Sequence, residues 1–223
     1  MRFYSMSELV KTPRRYDGSS RQAAAAETRD RILAAARSLF LTRGFTATAM
    51  ADVADHAGVA VQTVYTAVGG KATLLQRVMD VAIAGDDARI PVRDRPDILA
   101  VRAEPNGRRK LAKYARHIRL VHERSAELDQ VIRAAADVEP DIRQLLHTLD
   151  AQRVSGMRLF AEHLATSRLL RRGVTVTKAA DVLATHMDSR IYLWLVHDRK
   201  WSSRDYEGWY VQVTAAMLLR PTR

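Results

Sequence analysis

Apolar residues recur every three to four positions along most of the chain, with few alternating β-branched runs, so the pattern predicts an all-α fold. From Thr28, the residues Ile32, Leu33, Ala36, Leu39 and Phe40 fall on one helical face, and Gly44 stands where a C-terminal cap belongs. Thr46 and Thr48 are N-cap candidates for a second helix, MADVADHA, with Met50, Val53 and Ala54 turned inward and Gly58 at its end. A third helix spans about Val61 to Val68 and is closed by Gly69 and Gly70, and Lys71 opens a fourth carrying Leu74, Leu75, Val78 and Met79 inward. Beyond the charged, proline-containing stretch DDARIPVRDRPD, the pattern predicts helices near 95–103, from Asn106–Gly107 to about His122, from Ser125 to Asp137, and from Pro140 to about Ser167. Two more follow, one capped by Thr177 and running to about Asp198, the other from Ser202–Ser203 to near Leu219.

This pattern divides the chain in three. Residues 1–22 lack sustained periodicity and read as a flexible basic arm; 23–86 form a helix-turn-helix head, with the motif at about 49–68; 87–223 form a helical body. The two short helices of the head have only two turns each and cannot stabilise themselves, so they need the long preceding helix to pack on. A long helix, a short helix, a glycine turn and another short helix make the tri-helical helix-turn-helix arrangement.

Composition narrows the functional classes. Apolar residues are 47% of the 223, which makes a real core feasible and wholesale disorder inconsistent. Cysteine is absent, which excludes disulfides, thiolate catalysis and Cys-type zinc sites. No apolar run approaches the roughly 20 residues of a bilayer span, and the opening residues lack a signal-peptide core, so a cytoplasmic protein is expected. The net charge of +11 should attract polyanions, nucleic acid first. That excess is uneven: residues 21–86 carry 7 Lys/Arg against 6 Asp/Glu, whereas 87–223 carry 25 against 17. The densest run, RRKLAKYARHIRLVHER, places Arg109, Lys113 and Arg116 on one helical face, which suits a solvated surface, an auxiliary DNA contact or an acidic partner.

On the third helix Val64 and Val68 lie one turn apart and face inward, while Gln62 and Thr66 lie one turn apart on the other side with Thr63 beside them. Gln can pair in bidentate fashion with adenine, and a Thr methyl can touch a thymine methyl. Tyr65 is long enough to reach a phosphate, and Lys71 combines its charge with the amides of a helix N-terminus. The same residues also suit an ordinary solvated helix.

The stretch TRDRILAAARSLFLTRGFTATAMADVADHAGVAVQTVYTAVGGKATLLQRV resembles the N-terminal domain of the tetracycline-repressor (TetR/AcrR) family of transcriptional regulators. The resemblance rests on Ala36, Leu39, Phe40, Gly44, Thr48, Val53, Ala54, Ala57, Gly58, Val59, Thr63, Val64, Tyr65, Lys71, Leu74 and Leu75 at the family's spacings. It implies phosphate contacts from Thr48, Thr63, Tyr65 and Lys71, and base-edge positions for Gln62 and Thr66. Three residues depart from the family's pattern: Ala60 replaces a capping Ser, Ala67 an aromatic or His, and Val68 a Phe. The first two remove expected phosphate contacts, for which Arg14, Arg15 and Arg21 of the arm are the compensating candidates.

Six of the chain's aromatics, Tyr192, Trp194, Trp201, Tyr206, Trp209 and Tyr210, cluster near its end and suit a core, an interface or a pocket wall. The resemblance implies an effector pocket among the middle helices and a homodimer sealed through about 177–219, reading a near-palindromic operator on double-stranded DNA as a ligand-responsive repressor. Pocket candidates are Tyr114, His117, Met157, Phe160 and Trp194. The seven histidines show no metal-binding spacing, and no P-loop, nucleophile-elbow or dinucleotide fingerprint is present, so neither an enzyme, a cofactor nor a bound metal is expected. Two other classes remain open at this level: a sequence-neutral DNA-coating protein and a helical interaction module that no longer reads DNA. If the arm supplies the missing grip, deleting residues 1–21 weakens DNA binding and flattens its salt dependence, as a titration at several salt concentrations would register; unchanged affinity would refute the arm's role.

Overall fold

The computed structural model describes residues 18–86, 88 and 90–221, and among them the fold is all-helical. The head comprises α1 (Gly18–Arg43), α2 (Met50–Ala57), α3 (Val61–Val68) and α4 (Lys71–Ala84). A 3₁₀ turn (Val92–Asp94) leads to α5 (Pro96–Ala103), α6 (Gly107–Ala136) and α7 (Pro140–Thr166). The chain finishes with α8 (Val176–His186), α9 (Ser189–Leu193), a π-helical turn (Trp194–Asp198) and α10 (Ser203–Leu218).

Several boundaries differ from the periodic pattern, each for a local reason. α1 begins at Gly18 rather than near Thr28, because the polar, alanine-rich stretch before Thr28 contains good helix formers and no breaker. Residues 18–22, expected in the arm, therefore belong to α1 and place Arg21 on it; Arg14 and Arg15 lie outside the described residues. α6 is one unbroken helix where two were expected, since Ser125 does not start a new helix but turns its hydroxyl back to Val121 O (2.8 Å). α8 is capped by Thr175, two residues before the expected Thr177, through a bond from Lys178 N (3.2 Å). Asp188 interrupts the segment expected to run to Asp198: its carboxylate accepts from Arg190 N (2.9 Å) and starts α9.

Two cores are strung along α6. The first joins Ile32, Phe40, Val53, Val64 and Leu74 of the head to Leu128 and Ile132 of α6 and Ile142 of α7. The stretch after Gly85, expected as a domain joint, thus separates segments that share one core. Arg124 of α6 strengthens the junction by donating to Ala82 O (2.8 Å) and Ile83 O (3.1 Å) at the end of α4. Arg95 forks onto Asp86 with two 2.8 Å bonds, holding the linker and keeping that carboxyl's pKa down at about 2. The second core packs Leu111, Tyr114 and Ile118 against Phe160, Leu183, Tyr206 and Tyr210.

Two polar groups inside the body are unusual. Neither ring nitrogen of His122 has a well-formed hydrogen bond, and the ring is stacked on Tyr192 (5.1 Å) with Tyr206 edge-on (5.7 Å). Burial pushes its pKa from the usual value near 6.5 down to about 4. The Tyr210 hydroxyl is likewise buried without a partner. Between the two values for His122 the unfolded chain binds the extra proton, so stability falls as pH is lowered through that window. Denaturant unfolding at pH 7 and pH 5 should show a loss of ~2 kcal/mol from this group, and His122→Phe should remove that part of the slope.

Candidate nucleic-acid interface

α3 is held by its apolar side. Val64 and Val68 are buried, whereas Gln62, Tyr65 and Thr66 are exposed and Thr63 is half-buried. Tyr65 is 48% exposed, a large apolar-bodied side chain offered to solvent rather than to the core. Thr66 donates its hydroxyl to Gln62 O (2.8 Å), which leaves its methyl for an apolar contact. At the helix start the position occupied by Ala60 supplies no side-chain cap. Ala67, by contrast, is partly buried against the head core, so its small side chain fits the packing.

Lys71 opens α4 beside this face. Its Nζ lies 4.3 Å from the Phe45 ring centroid and donates to Thr46 O at 3.3 Å. The ammonium is thereby tethered to the turn between α1 and α2 while keeping donors free for an anion. Thr48 takes a different place from the one expected. It is 1% exposed, and its hydroxyl donates to Gly44 O (2.7 Å) rather than capping α2. The N-cap of α2 is Ala49, whose amide is caught by Asp52 (2.9 Å). Thr48 therefore holds the turn. Phe45, the seat for Lys71, was not singled out by periodicity; its position beside a glycine, outside any helix, concealed its role.

In the body, the structure brings Tyr114, Met157 and Phe160 together. The Tyr114 and Phe160 rings are 4.2 Å apart, and the Tyr114 hydroxyl donates to Met157 Sδ at 3.3 Å. All three are buried, so they fill the space between them, and burial pushes the Tyr114 hydroxyl pKa well up. His117 stands next to Tyr114 but is engaged by Asp97 (2.6 Å). Trp194 does not join them: the π-helical turn leaves it 55% exposed. Tyr192, Tyr206 and Tyr210 of the aromatic cluster are core, while Trp201 is exposed. An open groove of about 640 Å³ lies instead between the α1–α2 turn (Leu41, Phe45, Thr46) and α6 (Glu127, Val131, Ala134).

The basic run at the start of α6 is partly neutralised, because Arg109 and Lys113 both reach Glu104 (3.1 and 3.3 Å). Its most constrained member is Lys110, 1% exposed, which donates to Val101 O and Arg102 O (3.0 and 2.8 Å) and meets His163 Nε2 at 2.9 Å. Burial lowers both pKa values, and His163 accepts from the lysine. Among the described residues no group of three or more His, Asp or Glu is placed to hold a metal, and no helix is long and apolar enough to cross a membrane.

A long helix carrying two short ones, the second exposed on its polar face beside a tethered lysine, is the head of a helix-turn-helix protein. Residues 32–78 match the family of bacterial regulatory proteins, tetR family, and the chain has the fold of that family's solved regulators. NalD of Pseudomonas aeruginosa, the secondary repressor of the MexAB-OprM multidrug efflux pump, is 21% identical with a TM-score of 0.68, over 90% of this chain and 100% of that one. A protein of Rhodococcus sp. described as a TetR-family transcriptional regulator is 19% identical with a TM-score of 0.67, over 86% and 99%. A regulator of Saccharomonospora viridis, solved in complex with choline, is 15% identical with a TM-score of 0.65, over 88% and 100%. No curated protein matches the sequence.

The uncapped start of α3 has a measurable consequence. Ala60→Ser should stabilise the protein by about 1 kcal/mol, visible as a raised denaturation midpoint. A null or negative change would mean that the residue-60 backbone cannot present a side chain to the α3 amides.

Proposed function

We propose that the protein is a ligand-responsive transcriptional regulator, most simply a repressor, acting in the cytoplasm as a homodimer on a near-palindromic operator. The carrying observation is the outward face of α3, where Gln62, Tyr65 and Thr66 are exposed together beside the tethered Lys71. Gln62 and the Thr66 methyl suit base edges; Tyr65, Thr63 and Lys71 suit phosphates. Thr48 serves the site indirectly by holding the turn that seats Lys71.

Dimerisation through about 177–219 is supported by apolar surface left on that segment: Trp194 on the π-helical turn, Trp201 after it and Met217 on α10 are all exposed. A two-fold pair would set two α3 helices for successive major grooves. An effector acts only by binding unequally to the states that hold and release DNA. The groove between the α1–α2 turn and α6 is an open space that touches head and body together. An effector entering between Tyr114, Met157 and Phe160 must first part groups already in contact.

Selection of bound fragments from genomic DNA, repeated with candidate effectors, tests this reading; no preference for a palindromic sequence over random duplex would overturn it. On the selected fragment, Gln62→Ala should cost about 1–3 kcal/mol and relax base preference at one position of each half-site, while Lys71→Ala should weaken all sequences alike and lower the salt slope by about one. Binding curves on the selected fragment and on its single-base variants separate the two effects.

A further inference from the structure

A local excess of positive charge lies where the start of α6, the α7–α8 loop and the end of α10 meet. Three segments distant in sequence meet there. Arg171 N donates to Leu218 O (2.8 Å) and Arg220 N to Leu169 O (3.2 Å), joining the α7–α8 loop to the end of α10. Gly107, the first residue of α6, fits against both: a β-carbon there would lie 3.1 Å from Leu219 Cδ1 and 3.4 Å from Leu169 Cδ2. Lys110 donates to Arg102 O (2.8 Å) and to His163 Nε2 (2.9 Å), and so adds the end of α5.

Residues 102–113, 166–178 and 214–221 together carry ten Lys/Arg and one acid, Glu104. Glu104 is taken by Arg109 and Lys113. Arg171 and Arg220 donate to the carbonyls of Ala216 and Leu170, which orients them without cancelling their charge. Arg102, Arg108, Arg168 and Arg172 are exposed and make no ion pair among the described residues. Arg168 is also in the left-handed region, at φ 56, at the end of α7 where its amide returns to Ala165 O (2.9 Å). That is the position a glycine ordinarily takes after a helix, so an arginine is held there against its backbone preference. The head, by comparison, has nearly balanced charge, with 7 basic and 6 acidic residues over 21–86.

We propose that this arginine pole is a second polyanion site that takes the phosphate backbone of a duplex other than the one read by α3. Arginine forks match phosphate oxygens in bidentate geometry, and arginine predominates over lysine at the pole. None of the three segments contains an aromatic residue on which an unpaired base could stack, which favours duplex over single strand. About 17 residues of α6, roughly 26 Å, lie between Gly107 at the pole and Arg124, where the helix bonds to α4 of the head. The pole lies at the opposite end of α6 from Leu128 and Ile132, which enter the head core, so the occupant is taken as a separate segment, and the molecule bridges two duplexes without sequence preference at the second. This bridging rests on the heads holding DNA; phosphate capture by the pole does not.

The test uses the full chain in two arms. In the first, protein loaded on a bead-bound selected fragment is offered a labelled random-sequence duplex. In the second, protein carrying Gln62→Ala and Lys71→Ala, tethered by an N-terminal biotin, is offered the same probe. Capture is expected in both arms and should fall steeply as salt rises from about 50 to about 200 mM. Combining Arg102→Gln, Arg108→Gln, Arg168→Gly and Arg172→Gln should reduce it at least about tenfold in both, with loading on the selected fragment unchanged. Among the described residues these four side chains make no ion pair, and an unchanged melting temperature checks the fold. Absence of capture in the tethered arm, equal capture by the pole variant, or stronger capture of single-stranded RNA or of phosphatidylserine vesicles overturns the proposal. Failure to load any fragment, with capture persisting in the tethered arm, would instead count against the reading of the heads and against bridging.

Discussion

The fold depends on α6 belonging to two cores at once. Leu111, Tyr114 and Ile118 near its start are buried with the body, and Leu128 and Ile132 near its end are buried with the head. A continuous hydrogen-bonded helix does not bend freely between those ends, so the head cannot turn relative to the body without disturbing one core or the other. Arg124, donating to the last carbonyls of α4, adds a polar clasp at the crossing. This link ties the placement of α3 to the packing of the body.

The head is stabilised by burial more than by capping. α3 and α4 begin at Ala60 and Gly70, which supply no side-chain cap, and α2 begins at Ala49, for which Asp52 compensates. Helices this short do not persist on local bonds. Val53, Val64, Val68 and Leu74 close onto Phe40 and Ile32, and that packing keeps the polar face of α3 presented. Thr48 and the Lys71–Phe45–Thr46 contact fix the turn beside which the lysine is held.

The body contains polar groups that a minimal core would omit. Lys110 is satisfied by two carbonyls and a histidine, which ties α5, α6 and α7 together. Asp129 accepts from Ser189 and Arg133, joining the start of α9 to α6. His122 and Tyr210 have no such compensation. The resulting arrangement is specific in register but sensitive at these positions, because a buried polar group is tolerated only while its surroundings stay in place.

Helical periodicity and glycine placement determined the all-α class, the four helices of the head and the division between the inner valines and the outer Gln62, Tyr65 and Thr66, since those follow from local spacing. The same local signals misplaced what tertiary contacts decide. Ser125 reads as the start of a helix, yet in the middle of a packed helix its hydroxyl is met by its own backbone. Thr48 reads as an exposed cap, yet the turn folds it inward. Met157 and Phe160 read as a pocket wall, but close packing with Tyr114 makes them filling, while Trp194 is carried outward by a π-turn that no periodicity announces. The gathering of arginines from 102–108, 168–172 and 220 at one pole was also decided only in three dimensions, because segments far apart in sequence become neighbours through a few backbone bonds that no local pattern encodes.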